Sequence, residues 1–267
     1  MAAKNNSLLD RFAPIMLVAI VGMAFGMGIL WQKVQNLEKT PVTAGTAIQQ
    51  TAQQPAAVTV TQDQVKSIWD QAVVKFGDKE NKLLLVEVAD PSCPYCSIAA
   101  GKNPTLNTQA GSQFTLVSDG GSYVAPVEEM RKLVDSGQAS YAYVYFPGHG
   151  SGEMGMKALY CAHEQGKFWQ AHDLVMSSQG YDLVNTTVKN DKTKSQEVAD
   201  FLKSATDATK LKACLDSGKY DSALTSETTL AQSLGVSGTP GFFVNTVSFA
   251  GAYSWNDMKA TVEAALN

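Results

Sequence analysis

Cys93 and Cys96 are separated by two residues in VADPSCPYCSIAAG, residues 88–101, between an apolar run and a stretch of small helix formers. Such a pair suits three chemistries: half of a tetrahedral zinc site, a structural disulfide, or a dithiol that exchanges electrons with other thiols. The local pattern favours the third. A strand, turn and helix would put Cys93 at the helix start and Pro94 at the first helical position, where a missing N–H costs nothing. The unpaired N–H groups and the positive end of the helix dipole stabilise a thiolate there. Exposure and thiolate character are therefore expected on Cys93, with Cys96 one turn further on and close enough to close a disulfide.

Zinc fits less well, because a structural site needs four ligands. The two other cysteines, Cys161 and Cys214, are not part of a second C-x-x-C, and His149, His163 and His172 show no ligand spacing. Met154 and Met156 could attract copper, but at helical spacing they read as core filling. No metal and no cofactor are expected. From the residues alone, Cys161 and Cys214 remain either a second disulfide or two buried free thiols.

The elements that must position the dithiol follow from the flanking pattern. Leu83 to Val88 is short, continuous and apolar, which predicts a central strand covered on both faces. Glu87 is out of place within it, and marks either a strand end reaching water or a buried carboxylate beneath the cysteines. Upstream, Thr61 and Gln64 form a capping-box pattern, and Val65, Ile68, Trp69, Ala72, Val73 and Phe76 fall on one helical stripe. Downstream of the dithiol, Gly101, Pro104 and a polar, glycine-rich stretch to Gly121 interrupt helical spacing until PVEEMRKLVDSG, and QFTLVSDGGSYVA reads as a small hairpin. Ala158, Cys161, Ala162, Phe168, Ala171 and Leu174 have the spacing of helices packed on one another.

The whole chain sets the frame. Its 267 residues, 45% of them hydrophobic, allow one sizeable core or two small ones, and a net charge of −4 leaves no basic face for nucleic acid. Residues 12–31, FAPIMLVAIVGMAFGMGILW, carry no charge, and about 20 helical residues span a bilayer core. A cleaved signal peptide normally has an apolar region of only about 7 to 15 residues, so an uncleaved anchor is expected. Lys4 and Arg11 before the segment are balanced by Lys33 and Lys39 after it, so charge alone does not set orientation. The Gly22 and Gly26 spacing is common in membrane helices, and a monomer is expected. Residues 32–59 are rich in Gln, Thr, Ala and Pro, and read as a flexible linker.

The combination of CPYC with a distant GTPGFFVN resembles the thioredoxin superfamily. LYCAHEQGKFWQAHDL and ACLDSGKY between them resemble the DsbA-like thiol-disulfide oxidoreductases. The resemblance implies an α/β fold. A thioredoxin-like mixed sheet would be built from LLLVEV, SYAYVYF, GFFVN and TVSFAG, closed by a helix from Trp255 to Leu266. The thioredoxin-like part would comprise residues 60–151 and 235–267, and the inserted helical domain residues 152–234. It also implies roles: Cys93 as nucleophile, Cys96 as resolving thiol, Glu87 as the buried acid that relays protons, and Pro240 as a cis proline facing the cysteines. Thr239 would offer its backbone to an extended substrate, with Pro94 and Tyr95 beside it, and Cys161 with Cys214 would form a structural disulfide, as in some relatives.

The function so implied is a membrane-anchored oxidase that donates disulfides to secreted or envelope proteins and is reoxidised by a quinone-linked membrane protein. Residues 1–11 would lie in the cytoplasm and the catalytic domain in the periplasm or another extracytoplasmic space, since cytosolic thiols would keep such a dithiol reduced. Tyr95, where strongly oxidising relatives carry His, and Thr239 also resemble isomerase-like and glutaredoxin-like sites. A disulfide isomerase or reductase of the same fold therefore stands as the alternative, and a non-enzymatic thiol metal carrier as a more distant one.

Overall fold

The computed structural model describes residues 60–267; the anchor expected over residues 12–31 and the linker over 32–59 lie outside the described residues. Among the described residues no helix is long and apolar enough to cross a membrane.

Helix α1 (Gln62–Gln71) opens with the expected capping box: Thr61 Oγ1 accepts from Gln64 N–H, and Gln64 Oε1 accepts from Thr61 N–H at 2.8 Å. Its buried Val65, Ile68 and Trp69 pack on one face of the sheet, against Val86, Val88, Ala142 and Val144. The helical stripe was expected to run on to Phe76, and here the structure corrects it. Ala72 turns extended at ψ 137°, and Val74–Phe76 form a short edge strand, β1. The cause is tertiary. Val73 donates its N–H to the buried carboxylate of Glu227 at 2.9 Å, which diverts the backbone from the helix, and Val74 then pairs with Tyr143.

The sheet has five strands in the order β1-β3-β2-β4-β5, one more than the four expected. The central strand β2 (Leu84–Ala89) runs parallel to β3 (Ser140–Tyr145) and antiparallel to β4 (Gly241–Val244), which forms a hairpin with β5 (Val247–Ala250). Period-two alternation sends Leu85, Glu87 and Ala89 to the same face as Tyr141, Tyr143 and Tyr145. That face carries the dithiol and the inserted helices.

Helix α2 (Pro94–Ala100) follows β2 and stops at Gly101, whose φ of 70° is the left-handed conformation that ends helices without a Cβ penalty. The interruption beyond it is real, but the expected hairpin is not. Residues 104–123 form helix α3 (Pro104–Gln109), two 3-10 turns (Ser112–Phe114 and Val117–Asp119), and a single parallel bridge between Leu116 and Tyr123. The segment collapses onto itself through Phe114, Leu116 and Tyr123 packing on Ile98 of α2, so local side-chain burial replaces strand pairing. Helix α4 (Pro126–Asp135) then leads into β3.

Between β3 and β4 the chain is helical: α5 (Glu153–Glu164), α6 (Phe168–Val175), α7 (Ser178–Asp182), a π-helical turn (Leu183–Val188), α8 (Ser195–Leu202), α9 (Ala208–Ser217) and α10 (Asp221–Ser233). Their buried residues, including Met154, Met156, Leu159, Val198 and Leu211, share one continuous core with Leu85, Tyr141 and Phe242 of the sheet. Helix α11 (Trp255–Leu266) closes the fold at the bounds expected from sequence.

Candidate active site

Cys93 is the N-cap residue of α2, in an extended conformation that its own side chain does not use for capping, and Pro94 occupies the first turn. The Cys93 thiol donates to the carbonyl oxygen of Thr239 at 3.3 Å. The Thr239–Pro240 peptide bond is cis, so the segment leading into β4 meets the start of α2. Cys96 lies one turn on and its sulfur accepts the N–H of Asp90 at 3.4 Å. Both thiols are free.

The two sulfurs differ sharply in acidity. The Cys93 thiol falls from an ordinary 9.0 to about 6, chiefly through the hydrogen bond from Cys96, with Thr239 and the nearby His149 adding to it and burial opposing it. Burial and the neighbouring Cys93 push Cys96 well above 9.0. At neutral pH one sulfur is a thiolate and the other a thiol, the pairing needed for nucleophilic attack followed by resolution.

Access differs from the sequence expectation. Cys93 is 0% exposed, as is Cys96. Both sulfurs lie within the apolar core that the sheet shares with the inserted helices, and the residue before Cys93 is held in place: Ser92 Oγ accepts the Ser151 N–H at 3.3 Å, and Ser92 O accepts from Asn185 Nδ2 at 3.3 Å. Tyr95 between the cysteines is 45% exposed, and its ring meets Phe114 of the 104–123 segment at 5.8 Å.

Beneath the dithiol, Glu87 is fully buried, which decides between its two sequence readings. Its Oε2 accepts the Tyr141 hydroxyl at 2.5 Å. Burial raises its carboxyl, while His172 and the Tyr141 hydrogen bond act in the opposite sense. The fold thus brings Glu87, Cys93, Pro94, Tyr95, Cys96, Thr239 and Pro240 to one region. Cys161 on α5 and Cys214 on α9 form a disulfide within the helical insertion, apart from it, with Cα atoms 6.0 Å apart. Among the described residues no group of three or more His, Cys, Asp or Glu could hold a metal ion.

Two buried polar residues, Asp90 and Glu227, escaped the sequence reading, and a third, His172, was noted there only for its lack of ligand spacing. Asp90 is fully buried; its Oδ1 accepts Ser92 N–H at 2.8 Å and Ser92 Oγ at 2.7 Å, and its Oδ2 accepts the N–H groups of Gly148 and His149 at 2.7 and 2.8 Å. It pins the loop after β3 onto the turn that delivers Cys93, and a Cβ on Gly152 would sit 1.7 Å from its Oδ1. The Asp-Pro-Ser turn pattern was its only local signal. Glu227 on α10 accepts from Val73 N–H at 2.9 Å, Tyr145 N–H at 2.7 Å and the Tyr160 hydroxyl. His172 on α6 lies in an aromatic cluster with Tyr143, Phe168 and Trp169. Nothing local marks either.

Comparison with known proteins bears on the fold that carries this site. The family model described as Thioredoxin matches residues 125–264, which hold β3, the helical insertion, the cis proline and the C-terminal helix. Among solved structures, oxidised BdbD from Bacillus subtilis aligns at 17% identity and TM-score 0.54, over 79% of this chain and 97% of its own. A periplasmic thioredoxin-like protein from Salmonella enterica aligns at 19% identity and TM-score 0.52, over 76% and 95%. Alpha-DsbA1 from Wolbachia pipientis aligns at 20% identity and TM-score 0.53, over 72% and 89%. No curated protein matches the chain. The chain belongs to the thioredoxin family, and its fold is the one found in DsbA-type thiol-disulfide oxidoreductases.

Proposed function

We propose that this protein is a thiol-disulfide oxidoreductase that works as a DsbA-like oxidase, passing the Cys93–Cys96 disulfide to thiols of secreted or envelope proteins. The observation that carries this reading is the place of Cys93 at the N-cap of α2, beside Cys96 and 3.3 Å from the carbonyl before the cis proline, where its acidity is drawn down to about 6. Stabilising the Cys93 thiolate stabilises the reduced protein, so the disulfide is the stronger oxidant. A client segment in extended form would lie along the Thr239 and Pro240 backbone, with Pro94 and Tyr95 beside it. Glu87 accepts and returns the proton of Cys96. A quinone-linked membrane protein would restore the disulfide.

The uncharged segment over residues 12–31 supports a single-pass anchor with residues 1–11 in the cytoplasm and the folded domain outside it. Protease added to intact spheroplasts should release a soluble domain; protection until lysis would reverse the orientation.

The deciding measurement is the equilibrium reduction potential against glutathione. An oxidase should lie above about −180 mV, and a value below about −240 mV would favour the reductase reading. Tyr95 in the C-x-x-C pair keeps the isomerase alternative open to the same measurement.

A further inference from the structure

Asp90 joins the two halves of the site through an unbroken set of contacts. Its backbone flanks the dithiol: the carbonyl accepts the Cys93 N–H at 2.9 Å, and the N–H donates to the Cys96 sulfur at 3.4 Å. Its fully buried side chain accepts from four neutral donors. Oδ1 takes the N–H and Oγ of Ser92, on the turn that delivers Cys93, and Oδ2 takes the N–H groups of Gly148 and His149, on the loop after β3. A carboxylate offers about four acceptor sites, so all of them are occupied and the side chain has one geometry that satisfies every partner.

The loop so held is pressed on Thr239. A Cβ on Gly148 would sit 2.1 Å from Thr239 Oγ1 and 3.6 Å from the Asp90 Cβ, so glycine is what lets the loop lie against both residues. Thr239 in turn presents its carbonyl oxygen to the Cys93 thiol at 3.3 Å, at the head of the cis peptide bond. The contacts close a ring: Asp90 to Gly148, Gly148 to Thr239, Thr239 to Cys93, and Cys93 back to Asp90. The far end of the loop is tied down separately, because Asn190 Nδ2 donates to Gly150 O at 2.9 Å and Ser151 N–H donates to Ser92 Oγ at 3.3 Å.

Resting on the reading of Thr239 as the backbone that receives an extended client, we propose that Asp90 is a positioning residue for client engagement. Its carboxylate holds the Gly148 loop against Thr239, and so keeps the client-binding backbone in register with the attacking sulfur. Asp90 itself touches no client. A polypeptide gains from this preset geometry, because the strip it pairs with is ordered before binding rather than during it. A small dithiol makes no use of the strip. The substrate class that Asp90 favours is therefore a cysteine in an extended polypeptide over a free low-molecular-weight thiol.

The test follows reduction of the oxidised full chain by two probes: dithiothreitol, and an unstructured synthetic peptide with two cysteines. Asp90→Asn keeps the shape of the side chain, but its amide nitrogen has to face one of the two pairs of donors. Gly148→Ala leaves the Asp90 carboxylate in place and pushes on Thr239 instead. Each should raise the peptide concentration needed for half-maximal rate about tenfold, and lower the ratio of peptide rate to dithiothreitol rate by a similar factor. Thr239→Ala removes the Oγ1 that the new methyl would meet, so Gly148→Ala combined with it should come within threefold of Thr239→Ala alone.

A ratio within twofold of the parent in both Asp90→Asn and Gly148→Ala overturns the proposal. So does an equal loss with both probes, which would mark general damage to the fold. If Asp90→Asn does not fold, Gly148→Ala and its combination with Thr239→Ala decide. N-methylating the peptide backbone beside each cysteine separates the two levels, since it removes the N–H that strand addition would use. If the parent reacts equally with both peptides, the reading of Thr239 fails; if the parent discriminates and both variants keep its ratio, the Asp90 role alone fails.

Discussion

The sulfur of Cys93 lies 3.3 Å from the carbonyl oxygen of Thr239, a residue 146 positions away in the chain. This contact joins the start of α2 to the residue before the cis proline, so the group that attacks and the backbone that would hold an extended client share one spot.

The first expectation concerns acidity. Alkylation of Cys93 by iodoacetamide should rise about tenfold per pH unit and level off near 6, where the thiol titrates. In Cys96→Ala the midpoint should climb toward 9, because the Cys96 hydrogen bond is the largest cause of the depression. The folded value is lowered, so the stabilisation of the reduced protein is fully present above 9.0 and is lost as pH falls through about 6. A midpoint that stays put in the alanine variant would remove Cys96 as the cause.

Roles of the two cysteines can be separated by trapping. Cys96→Ala should accumulate mixed disulfides with client thiols, and Cys93→Ala should accumulate none. The reverse pattern on non-reducing gels would exchange the roles.

Glu87→Gln should slow thiol exchange at least tenfold without unfolding the protein. Burial raises the folded carboxyl above its unfolded value, so ionising Glu87 costs stability as pH climbs through the folded value. The Gln variant should therefore gain stability relative to the parent as pH rises. Urea melts at pH 5 and pH 8 would reveal this, and an equal difference at both would contradict it.

Glu227 holds the residue that leads into β1, along with β3 and α5, to α10 through three donors. Glu227→Ala leaves all three without an acceptor and should cost about 3 kcal/mol at roughly 1 kcal/mol each. Its carboxyl is raised to about 6 by burial, so the stability it contributes is complete below about 4.5 and falls as pH rises through 6. Glu227→Gln should abolish that segment of the stability profile, and its persistence in denaturant titrations would assign the slope to another group.

The Cys161–Cys214 bond closes a loop of 53 residues, worth about 4 kcal/mol by chain entropy. Replacing both by Ala should lower the melting temperature while client oxidation continues. Denaturing alkylation without reductant should leave both cysteines unlabelled, and label on either would deny the bond.

What the sequence determined by itself was local and periodic. Cys93, Pro94 and Cys96 carry their own spacing, the Thr61 cap needs only Gln64, and the amphipathic repeat from Trp255 to Leu266 marks α11. The resemblance in CPYC and GTPGFFVN pointed to the fold in which those motifs meet, and here Cys93 does meet Thr239. Tertiary structure decided the rest. Val74–Phe76 left their helical stripe because Glu227, 154 residues from Val73, captured a backbone N–H. The expected hairpin after α2 became turns because Ile98 offered an apolar surface on which Phe114, Leu116 and Tyr123 are buried. Cys93 lost its exposure to the core that the inserted helices complete around it. Burial and long-range hydrogen bonding are properties of neighbours that a chain position does not name, which is why Asp90, Glu227 and His172 became visible only when the sheet and the inserted helices were assembled around them.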